Sequence, residues 1–125
     1  QFLVNAVGPL KTTQALLVNL KKGSKVAIIT SRMGSISDNT SGGWYGYRMS
    51  KSAVNSAAVS LAQDLKPKGI SVMLLHPGFV QTDLVDNQGD ISAKQAAINL
   101  VNRIEEQNLQ DSGSFIHANG GSLPW

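Results

Sequence analysis

Two short apolar segments decide the fold: Lys25 to Ser31 (KVAIITS) and Ile70 to His76 (ISVMLLH). Both are rich in β-branched and aliphatic residues and end at loop signals, which is typical of strands buried in a parallel sheet. A third and shorter segment of this kind runs from Ser114 to Ala118 (SFIHA). We expect these three segments to be parallel strands of one sheet.

Helical segments alternate with these strands. The first spans Phe2 to Leu20, and Gly8-Pro9 interrupts it because a proline removes a backbone donor and bends the helix. The second spans Tyr45 to Lys66, and the third follows Ser92, an N-cap with Gln95 three residues later in the pattern of a capping box. This order predicts an α/β fold, a Rossmann-like doubly wound parallel sheet with helices on both faces.

Size limits the interpretation to part of such a fold. The chain has 125 residues, of which 42% are hydrophobic and 15% charged, so it forms one domain at most. Doubly wound sheets normally contain about five or more strands, so three strands indicate half of a larger domain. The core stripe of the second helix is dominated by small residues, and we expect it at these positions: Ser50, Ala53, Val54, Ala57, Leu61 and Leu65.

Charge and composition exclude several classes of protein. The net charge is +3, but the basic residues are dispersed, and the densest group (Lys21, Lys22 and Lys25) lies where cations complement a helix dipole, so we expect no nucleic-acid partner. No segment approaches the ~18–20 apolar residues of a membrane span. The absence of cysteine excludes thiol catalysis and disulfides and fits a cytoplasmic protein. The two histidines lack acidic partners at ligand spacing, so we expect no metal.

One pair of residues carries acid–base chemistry. Tyr47 and Lys51 are four residues apart near the start of the second helix, so their side chains share one face. A phenol alone ionises near pH ~10, and a neighbouring ammonium favours the phenolate, which makes tyrosine useful as an acid–base catalyst. Ser31 closes one strand and His76-Pro77-Gly78 closes another, so these residues converge on the rim where ligands bind in such folds.

Four segments in the correct order resemble the C-terminal half of the short-chain dehydrogenase/reductase family. They are Val4 to Pro9, Ile29 to Ser31, Tyr47 to Lys51 and His76 to Asp83. Two further segments, Ser41 to Tyr47 and Asn119 to Trp125, resemble its branch of C-factor and sniffer-type carbonyl reductases. The resemblance implies that residues 1–125 are the C-terminal portion of a single NAD(P)-binding Rossmann-fold domain, without the N-terminal half that binds the dinucleotide phosphates.

The resemblance also implies catalytic roles. Tyr47 would be the general acid that protonates a carbonyl oxygen, or the base in the reverse direction. Lys51 would hold the nicotinamide ribose, Ser31 would orient the carbonyl, and Asn5 would hold a water that relays protons to Lys51. Ser31 lies sixteen positions before Tyr47, a few more than is common in the family, so Ser35 and Ser37 remain alternatives for the hydroxyl.

A cofactor, a substrate class and an oligomer follow from the same resemblance. NAD or NADP would be the cofactor, and the substrate would be a small carbonyl compound or alcohol. Residues Asp83 to Asp90 would form a mobile substrate lid, and a homo-oligomer would form through helices 1–22 and 45–66. Four residues would line the carboxamide side of the nicotinamide: Pro77, Gly78, Val80 and Thr82.

Two functions remain open. In the first, the chain is the catalytic half of an NAD(P)-dependent oxidoreductase of the carbonyl reductase or alcohol dehydrogenase type, and the 125-residue piece alone is inactive because the phosphate cradle is absent. In the alternative, it is a truncated, non-catalytic interaction or signalling fragment of such a protein. A third function, a response-regulator-like or other α/β binding module, would need an acidic cluster at the strand ends, and the sequence has none there.

Overall fold

The computed structural model describes all residues from Gln1 to Trp125. Its strands are β1 (Lys25–Ile29), β2 (Ser71–His76), β3 (Val80–Gln81), β4 (Ile91–Ser92) and β5 (Phe115–His117). Its α-helices are α1 (Gly8–Leu16), α2 (Tyr45–Leu65) and α3 (Ala93–Glu106). The main sheet has the order β1-β2-β5 with all strands parallel, which confirms the predicted fold class. No sequence pattern predicted the short parallel pair β3-β4.

Helices cover both faces of the main sheet. Ile28 of β1 belongs to the same core cluster as Val54 of α2. Alternate residues of a strand point to opposite faces. On the other face, Lys25 Nζ donates hydrogen bonds to the carbonyl oxygens of Ile104 and Glu105 at the end of α3, at 2.7 and 2.9 Å. The helices α2 and α3 therefore lie on opposite faces, as the doubly wound prediction requires.

The strands are shorter than predicted, and β1 shows why. It ends at Ile29 instead of Ser31, because Ser31 caps the 3₁₀ turn Arg32–Gly34 with its Oγ, which accepts from Met33 N–H at 3.1 Å. Thr30 still pairs with β2, since its N–H donates to the carbonyl oxygen of Leu75. Residues 70, 114 and 118, predicted as strand ends, likewise lie just outside the observed strands.

The prediction that β1 is a buried strand was wrong. Its first and last residues are exposed and only Ile28 is buried, whereas all six residues of β2 are buried. The cause is the strand order, since β2 has a neighbour on each side and β1 has one on a single side only. The apolar residues of β1 therefore lie at an uncovered edge of the sheet.

The predicted core stripe of α2 was partly wrong. Ala53, Ala57 and Leu61 are only half-buried, because the row of side chains at i, i+4 and i+8 is inclined to the helix axis. The buried row therefore passes through Val54, Ala58 and Ala62 instead. The helix, which ends at Leu65, buries the following residues: Ser50, Val54, Asn55, Ala58, Ala62 and Leu65.

The interruption of the first helix is confirmed. Residues Leu3–Val7 form a π-helical turn before α1, and a 3₁₀ turn follows α1. In the wide turn, Gly8 N–H donates to the carbonyl oxygen of Leu3, five residues earlier. Since Pro9 has no amide hydrogen, the wider turn accommodates it without ending the helix. None of the helices combines the length and apolar character that a membrane crossing needs.

The start of α3 confirms one half of the predicted capping box. Ser92 Oγ accepts a hydrogen bond from Gln95 N–H at 3.2 Å. The reciprocal bond was wrongly predicted, because the Gln95 side chain donates instead to Asn99 Oδ1, one turn further along the helix. The N-cap alone is therefore enough to fix the start of this helix.

Candidate active site

The carboxyl ends of β1 and β2 form a polar rim. Thr30, Ser31 and His76 lie there, and all three are buried. Thr30 Oγ1 donates to Asn55 Oδ1 of α2 at 2.6 Å, which ties the end of β1 to that helix. Ser31 is in extended conformation, with φ −148° and ψ 147°. The rim is therefore built by strand ends held against α2.

Lys51 lies between the Tyr47 ring and the end of β1. Its ammonium is 5.7 Å from the centroid of the Tyr47 ring, and it donates to the carbonyl oxygen of Ile29 at 3.4 Å. Ile29 is two residues before Ser31, so the arrangement brings Tyr47, Lys51 and the start of the Ser31 turn to one place. Burial lowers the pKa of Lys51 from its usual value.

Asn5 reaches the same region through a residue that the sequence did not single out. Asn5 Nδ2 donates to Ser50 Oγ at 3.1 Å, and Ser50 Oγ donates to the carbonyl oxygen of Tyr47 at 2.7 Å. Ser50 is fully buried between the first helical segment and α2. The only sequence signal for this role was a small polar residue within the predicted core stripe. That signal is not specific, because any small polar residue in a core stripe would produce it.

Gly34 allows the Ser31 turn to pack directly on α2. A Cβ atom at Gly34 would lie 2.8 Å from the backbone carbon of Lys51 and 2.8 Å from Asn55 Nδ2. Ser52 Oγ also donates to the carbonyl oxygen of Gly34 at 2.8 Å. The absence of a side chain at this position thus sets the distance between the loop of Ser31 and the helix of Lys51.

The alternative hydroxyls, Ser35 and Ser37, have partners within the loop. Ser35 Oγ accepts from Asp38 N–H, and Ser37 Oγ donates to the main-chain oxygen of Trp125 at 2.6 Å. Ser31 Oγ is an acceptor from Met33 N–H, so its own hydrogen is available for another acceptor. Ser35 Oγ keeps its hydrogen in the same way, so the place of Ser31 at the end of β1 is what distinguishes it as the candidate hydroxyl.

His76 and His117 pack against each other at the ends of β2 and β5. Their rings are 4.9 Å apart in a T-shaped arrangement, and the His76 Nδ1 atom is buried without a partner. Burial, with smaller effects from His117 and Arg32, lowers the pKa of His76 to about 4. The ring is therefore neutral at neutral pH. No group of three or more histidine, aspartate or glutamate side chains has an arrangement suited to a metal ion.

The segment after β2 turns over the rim. Gly78 has a left-handed backbone (φ +93°) beside the His117 ring, and the chain then enters β3. Gly89 lets the following loop cross the backbone of residues 79–81, since a Cβ there would lie 2.7 Å from the carbonyl oxygen of Phe79. The structure thus places four predicted cofactor residues together just beyond the end of β2: Pro77, Gly78, Val80 and Thr82.

The chain is similar in sequence to known proteins. A model of the family described as short chain dehydrogenase matches residues 1–93. The chain belongs to the short-chain dehydrogenase family. The 1-hydroxy-2-glutathionyl-2-methyl-3-butene dehydrogenase of Rhodococcus sp. (strain AD45) is 46% identical over 129 residues, which cover 100% of this chain and 57% of that protein. The C-signal of Myxococcus xanthus is 44% identical, with 99% of this chain and 76% of that protein covered.

Solved structures of short-chain dehydrogenases show the same fold. The carbonyl reductase Sniffer of D. melanogaster superimposes with a TM-score of 0.92 at 31% identity, over 99% of this chain and 55% of that one. The NADPH-bound carbonyl reductase from chicken fatty liver gives a TM-score of 0.91 at 27% identity, with the same coverage of 99% and 55%. The chain thus spans little more than half the length of these two structures.

Proposed function

We propose that residues 1–125 are the catalytic, C-terminal portion of an NAD(P)-dependent oxidoreductase of the carbonyl reductase or alcohol dehydrogenase type. The observation that carries the proposal is the position of the Lys51 ammonium, 5.7 Å from the centroid of the Tyr47 ring and in contact with the end of β1. Membership of the short-chain dehydrogenase family and the names of the relatives support the same reaction class.

In this proposal Tyr47 is the proton donor. Its hydroxyl hydrogen moves to the carbonyl oxygen of the substrate as that oxygen gains an electron pair, and the Lys51 cation stabilises the negative charge left on the phenol oxygen. The hydroxyl of Ser31 donates a hydrogen bond to the same carbonyl oxygen and orients it. In the direction of alcohol oxidation, the Tyr47 oxygen takes the hydrogen back.

Asn5 has a supporting role. Its side chain is tied to Ser50, so a proton-relaying water would bind the main chain of the π-helical turn. Pro9 has no amide hydrogen, so the turn before it has fewer helical donors for its carbonyl oxygens. We assign the water to the main chain of Asn5 in this turn, from where it relays protons to Lys51.

The residues of the rim fit the nicotinamide end of the cofactor. Of the three hydrogens on the Lys51 ammonium, one points to the carbonyl oxygen of Ile29, so two can bond the ribose hydroxyls. Pro77, Gly78, Val80 and Thr82 lie beyond the end of β2 and are placed to line the carboxamide side. When bound, NADH or NADPH supplies the hydride. The chain offers no glycine-rich strand–turn–helix for the phosphates, so the fit is confined to the nicotinamide end.

The open edge of β1 indicates where the remainder of the domain belongs. The N–H of Thr30 donates to β2 and the C=O of Ser24 accepts from it, so the backbone groups of the even-numbered residues here pair with β2. Because alternate residues of a parallel strand bond to opposite neighbours, the backbone N–H and C=O groups of Lys25, Ala27 and Ile29 point towards the open edge. A mainly apolar groove of about 590 Å³ lies beside this edge, between α1 and β1. We assign it to a strand of the N-terminal half.

The site is tested in a completed domain, made by fusing the portion of the Rhodococcus relative that precedes the match to residues 1–125. Tyr47→Phe should reduce kcat for ketone and aldehyde reduction by at least ~100-fold, since it removes the general acid. Tyr45→Phe is the matched control: it removes the hydroxyl of an exposed tyrosine two residues earlier and should leave kcat unchanged. Wild-type turnover in the Tyr47→Phe variant would refute the assignment.

A non-catalytic interaction fragment remains the second candidate. It is favoured by the uncovered β1 edge and by the relative named C-signal, of which this chain covers 76%. An unpaired strand edge is a ready site for pairing with another chain. In this case the 125-residue chain would bind a protein partner with unchanged affinity in the Tyr47→Phe variant, and the completed domain would show no cofactor-dependent turnover.

The oligomer is proposed through residues 1–22 and 45–66. Leu3, Val18 and Met49 in these two segments are 74%, 90% and 62% exposed, so each segment presents large apolar side chains that a second subunit could cover. Sedimentation of the completed domain should give the mass of a dimer or larger assembly, and Val18→Asp with Met49→Asp should give a monomer. With no cysteine in the chain, we propose the cytoplasm as its compartment.

A further inference from the structure

The segment Gly121–Trp125, here called the tail, folds back along β5. His117 N–H donates to the carbonyl oxygen of Gly121 at 2.8 Å, and Leu123 N–H donates to that of Phe115 at 2.9 Å. Ile116 and Ser122 form an antiparallel bridge between these two bonds. The tail therefore runs antiparallel to β5, from the carboxyl end of that strand towards its amino end.

Trp125 is held from two sides. Its indole stacks on the ring of Phe115, with centroids 5.2 Å apart and planes 27° from parallel. Its main-chain oxygen accepts two hydrogen bonds from Ser37, from the N–H at 2.9 Å and from Oγ at 2.6 Å. Phe115 is only 3% exposed and belongs to the core cluster, so the tail connects the core to the loop that contains Ser37.

That loop is continuous with the turn of Ser31. Arg32 Nε and Asp38 Oδ2 form an ion pair at 2.9 Å, which closes the segment between them. Ser35 Oγ accepts from Asp38 N–H inside it. At its start the segment is held by α2 through Gly34, and at its far end by Trp125. On the α2 side, Arg48 also donates to the carbonyl oxygen of Met33 at 3.5 Å. The loop is thus held by α2 near its start and by the tail at its far end.

We propose that Trp125 is a positioning residue for Ser31: the tail holds residues 35–38 in place and so fixes the Ser31 hydroxyl at the rim. The catalytic meaning of this arrangement rests on the proposed function, because only there does Ser31 contact a substrate oxygen. The mechanical part of the proposal, that the tail holds residues 35–38 in place, rests on the contacts alone. It has a direct reporter, the amide hydrogen of Met33, which is bonded to Ser31 Oγ at 3.1 Å.

Hydrogen exchange tests the mechanical part in the completed domain and in the 125-residue chain. In Trp125→Ala, the amides of Met33 and Ser37 should exchange at least about tenfold faster, while those of β2 keep their protection. Trp125→Phe retains a ring on Phe115 and the same main-chain acceptor, and should restore both amides. Ser37→Ala removes only the Oγ bond, keeps the fold intact, and should give a smaller increase at the same two amides.

Kinetics test the catalytic part. In the completed domain, Trp125→Ala should lower kcat about tenfold with the cofactor KM unchanged, because a misplaced hydroxyl affects the chemical step. Trp125→Phe should recover kcat. Unchanged exchange at Met33, or faster exchange with unchanged kcat, would overturn the proposal. A wild-type domain without turnover counts against the proposed function instead, and the exchange of Met33 still decides whether the tail holds the loop.

Discussion

The strands β1 and β2 look alike in sequence and differ in the structure. Ile29 of β1 and Leu75 of β2 are partners in register and point to the same face of the sheet, yet Ile29 is 47% exposed and Leu75 is fully buried. The difference lies in coverage, since β2 is flanked by two strands and β1 by one. The composition of β1 suits a strand with two neighbours, and residues 1–125 supply only one.

The candidate site takes residues from both the open strand β1 and the enclosed strand β2. Ser31 follows the open strand β1, and Pro77 and Gly78 follow the enclosed strand β2. Lys51 reaches the end of β1 from α2. The candidate catalytic side chains thus lie at the ends of strands that this chain contains, and the open side of β1 is where the proposed phosphate-binding half would join.

Truncation of the matched pair should give the largest difference in stability. Leu75→Ala leaves a cavity in a closed site and should cost about 3 kcal/mol of unfolding free energy, whereas Ile29→Ala should cost about 1 kcal/mol or less. Urea denaturation followed by circular dichroism measures both. In the completed domain the cost of Ile29→Ala should rise towards that of Leu75→Ala. Equal costs in the isolated chain would contradict the difference in coverage.

Acid should destabilise the enclosed strand through His76. The pKa of His76 is lowered to about 4 by burial, so between about pH 6.5 and 4 the unfolded chain binds more protons than the folded one. Stability therefore falls as the pH is lowered through this range, by about 2 kcal/mol after allowance for solvent screening. Denaturation at pH 7 and pH 4 should show this loss and a smaller one in His76→Gln. An equal loss in both proteins would contradict the assignment to His76.

A methyl group at Gly34 should disturb the contact between the Ser31 turn and α2. Gly34→Ala places a Cβ against the backbone of Lys51 and should cost about 1–2 kcal/mol. Gly46→Ala is the control within α2, where the added methyl meets only the flexible end of the Gln1 side chain and the helical position favours alanine. Thermal denaturation should separate the two variants, and a neutral Gly34→Ala would show that the approach is not tight.

The smallest effect on stability, and the clearest one on solubility, is expected at the β1 edge. Ile29→Lys should reduce aggregation of the isolated chain, because a charged side chain on an open edge strand opposes its pairing with another strand. Ile98→Lys on α3 adds the same charge at a residue of similar exposure, 43%, and should change aggregation little. Light scattering at increasing concentration compares them. Equal suppression by both variants would point to net charge as the cause.

Sequence patterns located every main strand and helix, because their apolar runs and stop signals are local. They did not show that β1 lies at an edge. Its apolar composition is typical of a strand with two neighbours, whereas this chain supplies only one. They also missed the roles of Ser50 and Gly34, which depend on how close α2 comes to residues far away in sequence. The pair β3-β4 was missed because two-residue strands leave no periodic signal.

The predicted site residues came from spacing and from resemblance, and the structure shows how far spacing alone reaches. Four positions on a helix are enough to bring Lys51 near the Tyr47 ring. The link from Asn5 to Tyr47 crosses 45 positions through a buried serine, and no local pattern predicts it. The contribution of Trp125 to the Ser31 loop is of the same kind.

The most direct test of the account is the oxidation of NADPH and NADH with a panel of ketones and aldehydes, measured for residues 1–125 alone and for the completed domain. The account predicts no turnover above background for the isolated chain, turnover for the completed domain, and loss of that turnover with Tyr47→Phe but not with Tyr45→Phe. A folded completed domain that binds the cofactor and yet reduces no carbonyl compound, or an isolated chain as active as the completed one, would contradict it.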